Sequence, residues 1–124
     1  MTFTKLFIVI ASISAGLIVI LGAFGSHVLK NKISPEMLTV YQSGIQYHMF
    51  HSIGLFVVAL VAIYVPNSSL VKWSGWIMLS GIVFFSGSLY ILSITGIKWI
   101  GIITPFGGVA LIISWILLAI SAFR

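Results

Sequence analysis

The side chains best suited to chemistry in this 124-residue chain are its three histidines. His48 and His51 are spaced i and i+3, so on a helix they share a face. His27 closes the preceding apolar segment, and an antiparallel neighbour would bring it towards them. Three imidazoles could ligate zinc or copper, and two on facing helices could hold a b-type haem axially. They could also pass protons, because the ordinary imidazole titrates near neutrality. The plainer alternative is that each histidine hydrogen-bonds a Tyr, a Ser or a backbone carbonyl and closes a helix junction. Both readings stay open on the residues alone, and whether any metal binds at His27, His48 and His51 stays open with them.

What is missing narrows the rest. Glu36 is the sole acid, so no carboxylate pair exists for general acid–base work. Zero cysteines exclude disulfides, thiolate metal sites, iron–sulfur clusters and covalent haem attachment. No phosphate loop, nucleophile motif or Ser/His/Asp set is present. Ser86 or Tyr90 as a nucleophile has nothing beyond its presence to support it. A non-enzymatic protein without a cofactor is the expectation.

The elements that must position these residues are membrane-spanning helices. The chain is 60% hydrophobic and 6% charged, with a mean hydropathy of +1.26. Soluble domains run at about 45–50% apolar and about 25% charged. A helix needs about 20 mainly apolar residues to cross the hydrocarbon. Four such runs, about 6–29, 46–65, 71–94 and 99–123, use up the chain. The runs are continuous and lack the alternation of a membrane barrel. The reading is one all-α domain, a four-helix integral membrane bundle over residues 1–124. The first run is longer than a signal-peptide core, which favours a retained helix.

Local signals set the boundaries. Pro66-Asn67-Ser68-Ser69 is a turn that ends the second span near Val65. Counting back places His51 roughly 8 Å inside the bilayer, so the histidines are expected to lie shallow. Ser34-Pro35-Glu36 reads as a helix start with Ser as cap. A helix from Pro35 to Val65 would be about 46 Å long, too long for the bilayer unless steeply tilted. A bend at Gly44, with Pro35–Ser43 as a short interfacial helix, is the expected solution. Pro105 near the start of the fourth run predicts a kink or a late helix start. Small residues at helical spacing, Ser12 with Gly16 and Gly22 with Ser26, suit close packing.

An up-and-down path gathers polar residues in one half of the membrane. His27, Tyr41, Gln42, Gln46, Tyr47, His48, His51, Tyr90 and Thr104 all fall there, whereas the opposite half offers mostly Ser, Trp and aliphatic side chains. These residues form the candidate ligand-binding end. The net charge of +5 comes from basic residues at helix ends and does not point to nucleic acid. Lys5, Lys72 and Arg124 fall on one side and Lys30, Lys32 and Lys98 on the other, so the positive-inside rule does not orient the chain. Trp73, Trp76 and Trp99 near span ends fit interfacial anchoring.

Several motifs carry a resemblance. Gly22-Ala-Phe-Gly-Ser-His-Val-Leu-Lys30 closes the first span. Tyr41-Gln42, Tyr47-His48-Met49-Phe50-His51 and Phe84-Phe85-Ser86-Gly87-Ser88-Leu89-Tyr90 follow, then Thr104-Pro105-Phe106-Gly107-Gly108 and Trp115. In order and over the whole chain, these resemble the YwdK- and YgdD-type family of small four-helix bacterial membrane proteins. Ser26 stands where that family usually has Ala, and Ser114 where Gly is common. The resemblance implies four helices in the bacterial cytoplasmic membrane, crossing it repeatedly, and implies no activity. Gly22, Gly25, Gly87, Pro105, Gly107 and Gly108 are the candidate helix-packing residues.

The leading expectation is a non-enzymatic membrane protein whose polar end binds a lipid headgroup, a small ligand or a membrane partner. The alternatives are an oligomeric transporter or proton-conducting component, and a haem- or metal-bearing redox accessory. Membrane lipids are the expected partners, with a homo-oligomer or another membrane protein also open.

Overall fold

A computed structural model describes residues 1–123. Arg124, grouped above with Lys5 and Lys72 as an anchor, lies outside the described residues. The helices are α1 (Phe3–His27), α2 (Pro35–Tyr64), α3 (Ser69–Thr95) and α4 (Ile103–Ser121). Short 3-10 segments, Leu29–Asn31 and Lys98–Ile102, precede α2 and α4. All four helical stretches are long and apolar enough to cross a membrane.

Each start and stop has a local cause. Thr2, Ser34 and Ser68 cap α1, α2 and α3, each hydroxyl accepting from a backbone N–H three residues on. Pro35 occupies the first turn of α2, where its missing donor costs nothing. Helix α3 ends on Gly96, whose φ of 73° is the left-handed conformation that a side chain disfavours. Pro105 falls in the first turn of α4, so the late start occurs, with the 3-10 segment filling the interval.

One expectation is corrected. Helix α2 runs unbroken through Gly44 for 30 residues, so Pro35–Ser43 is its first part and not a separate interfacial helix. Gly44 makes a close contact. A Cβ there would stand 2.8 Å from Tyr90 Cε1 and 3.3 Å from Leu89 Cβ. The two buried histidines fall near the middle of this long helix. In the 30-residue helix, 13 residues precede His48 and 16 follow it, and the reverse holds for His51.

Helix α1 packs on α2, α2 on α3 and α3 on α4. The core joins Phe7 and Ala11 of α1 to Leu55, Val58, Ala59 and Ala62 of α2, Val71, Met78 and Ile82 of α3, and Leu111 and Leu118 of α4. Without a hydrophobic drive between helices in lipid, such bundles rest on close packing and interhelical hydrogen bonds. The seam between α3 and α4 shows how close. A Cβ on Gly107 would collide with the backbone of Phe85, and one on Gly81 would stand 2.6 Å from Leu111 Cδ2. Gly25 likewise receives the ring of Tyr41, at 2.5 Å from where a Cβ would be.

Not every expected packing glycine packs. A Cβ at Gly16, Gly22 or Gly87 would have open space around it, and Ser12 and Ser26 are exposed. The stripe Ser12–Gly16 and Gly22–Ser26 therefore lies on the outer face of α1. Gly108 makes only ordinary contact with the Phe85 ring, and Pro105 is exposed. Trp73 and Trp99 are strongly exposed near helix ends, as interfacial anchors require.

Candidate functional site

Two polar assemblies sit in the middle of the bundle, one turn apart on α2. The first is built around His48, which is buried. Its Nδ1 lies 2.8 Å from the Tyr90 hydroxyl of α3 and its Nε2 lies 2.9 Å from the Ser14 hydroxyl of α1. Ser14 lies 2.5 Å from the Ser52 hydroxyl, and Ser52 donates to the His48 carbonyl at 2.9 Å. A buried imidazolium needs a counter-charge, and its side-chain partners Ser14 and Tyr90 supply none. For the neutral ring only one arrangement of protons satisfies all four contacts. The carbonyl can only accept, so the single Ser52 proton goes there. Ser14 must then donate to Ser52, His48 Nε2–H to Ser14, and Tyr90 O–H to His48 Nδ1. The neutral His48 thus carries its proton on Nε2.

The second assembly faces α4. Trp115 Nε1–H donates to His51 Nε2 at 2.9 Å, and His51 Nδ1–H donates to the Tyr47 carbonyl at 2.8 Å. An indole nitrogen can only donate and a carbonyl can only accept. His51 is therefore also neutral but carries its proton on Nδ1, the opposite tautomer. Gly54 makes room for the arrangement: a Cβ there would stand 3.1 Å from Trp115 Cζ2. Phe50 and Tyr47 complete an aromatic surround, with ring centroids 5.2 and 6.4 Å from His51.

A groove borders the first assembly. At one end Phe7 wedges α1 against α3, stacked on Phe3 at 4.4 Å and meeting Trp76 edge-on at 5.0 Å. Beyond that wedge the two helices part around a cavity of about 380 Å³. Its walls are aliphatic, and Ser14, His48, Ser86 and Tyr90 supply its polar residues. The rim includes Ile13, Leu17 and Val83, which are exposed on the flank of the bundle. A second recess, of about 450 Å³, borders His51 and is walled by Tyr47, Phe50, Phe85, Leu111, Ile112 and Trp115.

The candidate residues thus divide. Tyr41, His48 and Tyr90 come together: the two tyrosine rings are 5.2 Å apart, and the Tyr41 hydroxyl donates to the Leu21 carbonyl. His51 and Tyr47 form the second group. Thr104 is elsewhere, 2.6 Å from the Ser88 hydroxyl across the α3–α4 seam. Gln42, Gln46 and His27 are exposed. Among the described residues no three of His, Asp and Glu gather closely enough to hold a metal ion. The supposed set of His27, His48 and His51 is therefore not assembled. His48 and His51 turn their rings to different helices, and both nitrogens of each are engaged by protein groups.

Sequence reasoning missed Ser14 and Ser52 and gave Ser86 no structural role. Ser86 donates to the Gly44 carbonyl at 2.8 Å and so ties α3 to α2. The available signal was a lone hydroxyl within an apolar span. That signal is weak, because Ser74, Ser114 and Ser121 are equally buried yet bond only to carbonyls of their own helices.

Comparison with known proteins agrees with the architecture. A family described as "Protein of unknown function (DUF423)" matches residues 21–108. The UPF0382 membrane protein YwdK of Bacillus subtilis (strain 168) is 52% identical over 120 residues, covering 97% of this chain and 98% of that protein. UPF0382 membrane proteins of Staphylococcus saprophyticus and Staphylococcus aureus (strain bovine RF122 / ET3-1) are 44% and 45% identical over 120 residues. Each match covers 97% of this chain, and respectively 98% and 97% of the relative. No solved structure matches. With a matched region that includes His48, His51 and Tyr90 and relatives aligned nearly end to end, the chain belongs to the DUF423 family of UPF0382 membrane proteins.

Proposed function

We propose that this membrane protein is a non-enzymatic binding protein of the bacterial cytoplasmic membrane. It holds a lipid-soluble molecule in the groove between α1 and α3. The observation that carries the reading is the groove itself: apolar walls, a polar floor at mid-helix depth and a rim on the lipid-facing flank. Its volume of about 380 Å³ falls in the range of about 300–1,000 Å³ of small-molecule sites, which are mostly apolar with a few placed polar groups. A ligand dissolved in the bilayer would enter sideways, without crossing the polar ends. Catalysis has little support, since Glu36 is exposed in the first turn of α2 and no other acid exists.

The polar chain from Tyr90 through His48, Ser14 and Ser52 ends on the carbonyl of His48 itself. A path that loops back onto His48, one of its own members, gives protons no exit, which weighs against a conducting role. The engaged nitrogens of both histidines weigh against haem or metal ligation.

The test is native mass spectrometry of protein extracted gently from its own membrane, beside the variant Gly87→Leu. Gly87 borders the groove and has free space for a side chain. A lipid-sized adduct on the wild type that is lost from Gly87→Leu, with thermal unfolding unchanged, is the expected result. An adduct retained equally by the variant, or no adduct on either, overturns the reading.

A further inference from the structure

The same hydrogen-bond geometry bears on what the groove can recognise, and this step rests on the binding role proposed above. Every proton on its polar side chains is already committed within the protein. Tyr90 gives its proton to His48, His48 to Ser14, Ser14 to Ser52, and Ser86 gives its own to the Gly44 carbonyl. Oxygen lone pairs are what remain, since each hydroxyl can accept more bonds than it receives here. Among the described residues no Lys, Arg, Asp or Glu lines the cavity.

A floor that accepts without donating discriminates sharply. A carboxylate, a phosphate or a ketone offers only lone pairs, and would be desolvated without a partner. A hydroxyl brings the proton that the floor lacks. We infer that the groove selects an uncharged apolar molecule bearing a hydrogen-donating hydroxyl, and rejects anionic and carbonyl-bearing molecules of equal size. Such a hydroxyl could belong to an acylglycerol or to a long-chain or isoprenoid alcohol, and the chemistry at the floor is the same for each.

The experiment measures binding of dodecanol, its methyl ether, dodecanoic acid and 2-tridecanone to the detergent-solubilised full chain, by native mass spectrometry with competition. Dodecanol should bind roughly five- to tenfold tighter than its ether or the ketone, the yield of one added hydrogen bond. Ser14→Ala sharpens the test. Without Ser14, either His48 Nε2–H is left free or the imidazole changes tautomer and frees the Tyr90 proton. Either way a donor appears, and the preference for dodecanol over the ketone should shrink or reverse. Equal binding of alcohol, ether and ketone to the wild type, or a ketone or acid preference, overturns this inference while leaving the groove a binding site. Absence of binding by the whole series, with no change on Gly87→Leu, removes the binding role itself. If Ser14→Ala does not fold, the wild-type series decides alone. Once dodecanol is preferred, displacing it with 1,2-dioctanoylglycerol or with farnesol distinguishes the two sources.

Discussion

Towards α4 and towards α1, helix α3 presents two seams of opposite character. Against α4 it is closed: Gly107 lies on the Phe85 backbone, Gly81 receives Leu111, and Ser88 bonds Thr104. Against α1 it is closed only at the Phe7 wedge and then parts around a groove. The two histidines mark the difference. His51, towards α4, is held by one indole and a carbonyl of its own helix. His48, towards the groove, is tied to α1 and α3 at once. The closed seam has shape and little spare chemistry. At the open one, hydrogen bonds hold together what packing does not fill.

The contrast can be broken most easily at its glycines. Gly107→Ala should destabilise by about 3 kcal/mol or more, because the obstacle is backbone and cannot rotate away. Gly87→Ala, facing open space, should stay within about 0.5 kcal/mol. Reversible unfolding in mixed micelles measures both, and similar losses would show that the two seams are alike.

The next effect separates the histidines. His48→Leu removes bonds to two other helices and should cost about 2 kcal/mol. His51→Leu removes one interhelical bond and should cost about 1 kcal/mol, given the roughly 0.6–1.7 kcal/mol typical of such bonds in membranes. A larger loss at His51 than at His48 would reverse the assignment of which seam depends on polar ties. The gentlest test changes no residue. Nitrogen-15 spectra of labelled histidine should show His48 protonated at Nε2 and His51 at Nδ1, and a shared tautomer would refute one of the two networks.

Much of this architecture was legible in the chain. Ser34, Pro35 and the Pro66–Ser69 turn announce their helix boundaries by backbone chemistry that tertiary context did not override. Antiparallel order put Tyr41, His48 and Tyr90 in the same half of the bundle, but did not show which of the nine polar residues there would touch. Pro35–Ser43 was read as a separate helix because a length count cannot see that it continues into α2, and the close contact at Gly44 depends on where Tyr90 stands. Ser14 escaped notice for a related reason: a buried hydroxyl bonds its own helix or a neighbour according to what stands opposite. His27 was grouped with the other histidines by depth, whereas its rotation about α1 leaves it outside.

The distribution of charge around the two neutral histidines has an electrical consequence. The fixed charges of the described residues lie in the first turn of a helix or in the connections, as with Lys5, Lys30, Lys32, Glu36, Lys72 and Lys98. A membrane voltage does work only on charge that moves through it, about 2.3 kcal/mol per elementary charge per 100 mV. An interior wired entirely by uncharged donors and acceptors offers that voltage nothing to move. Occupancy of the groove by an uncharged molecule should therefore be the same in an energised membrane as in a depolarised one.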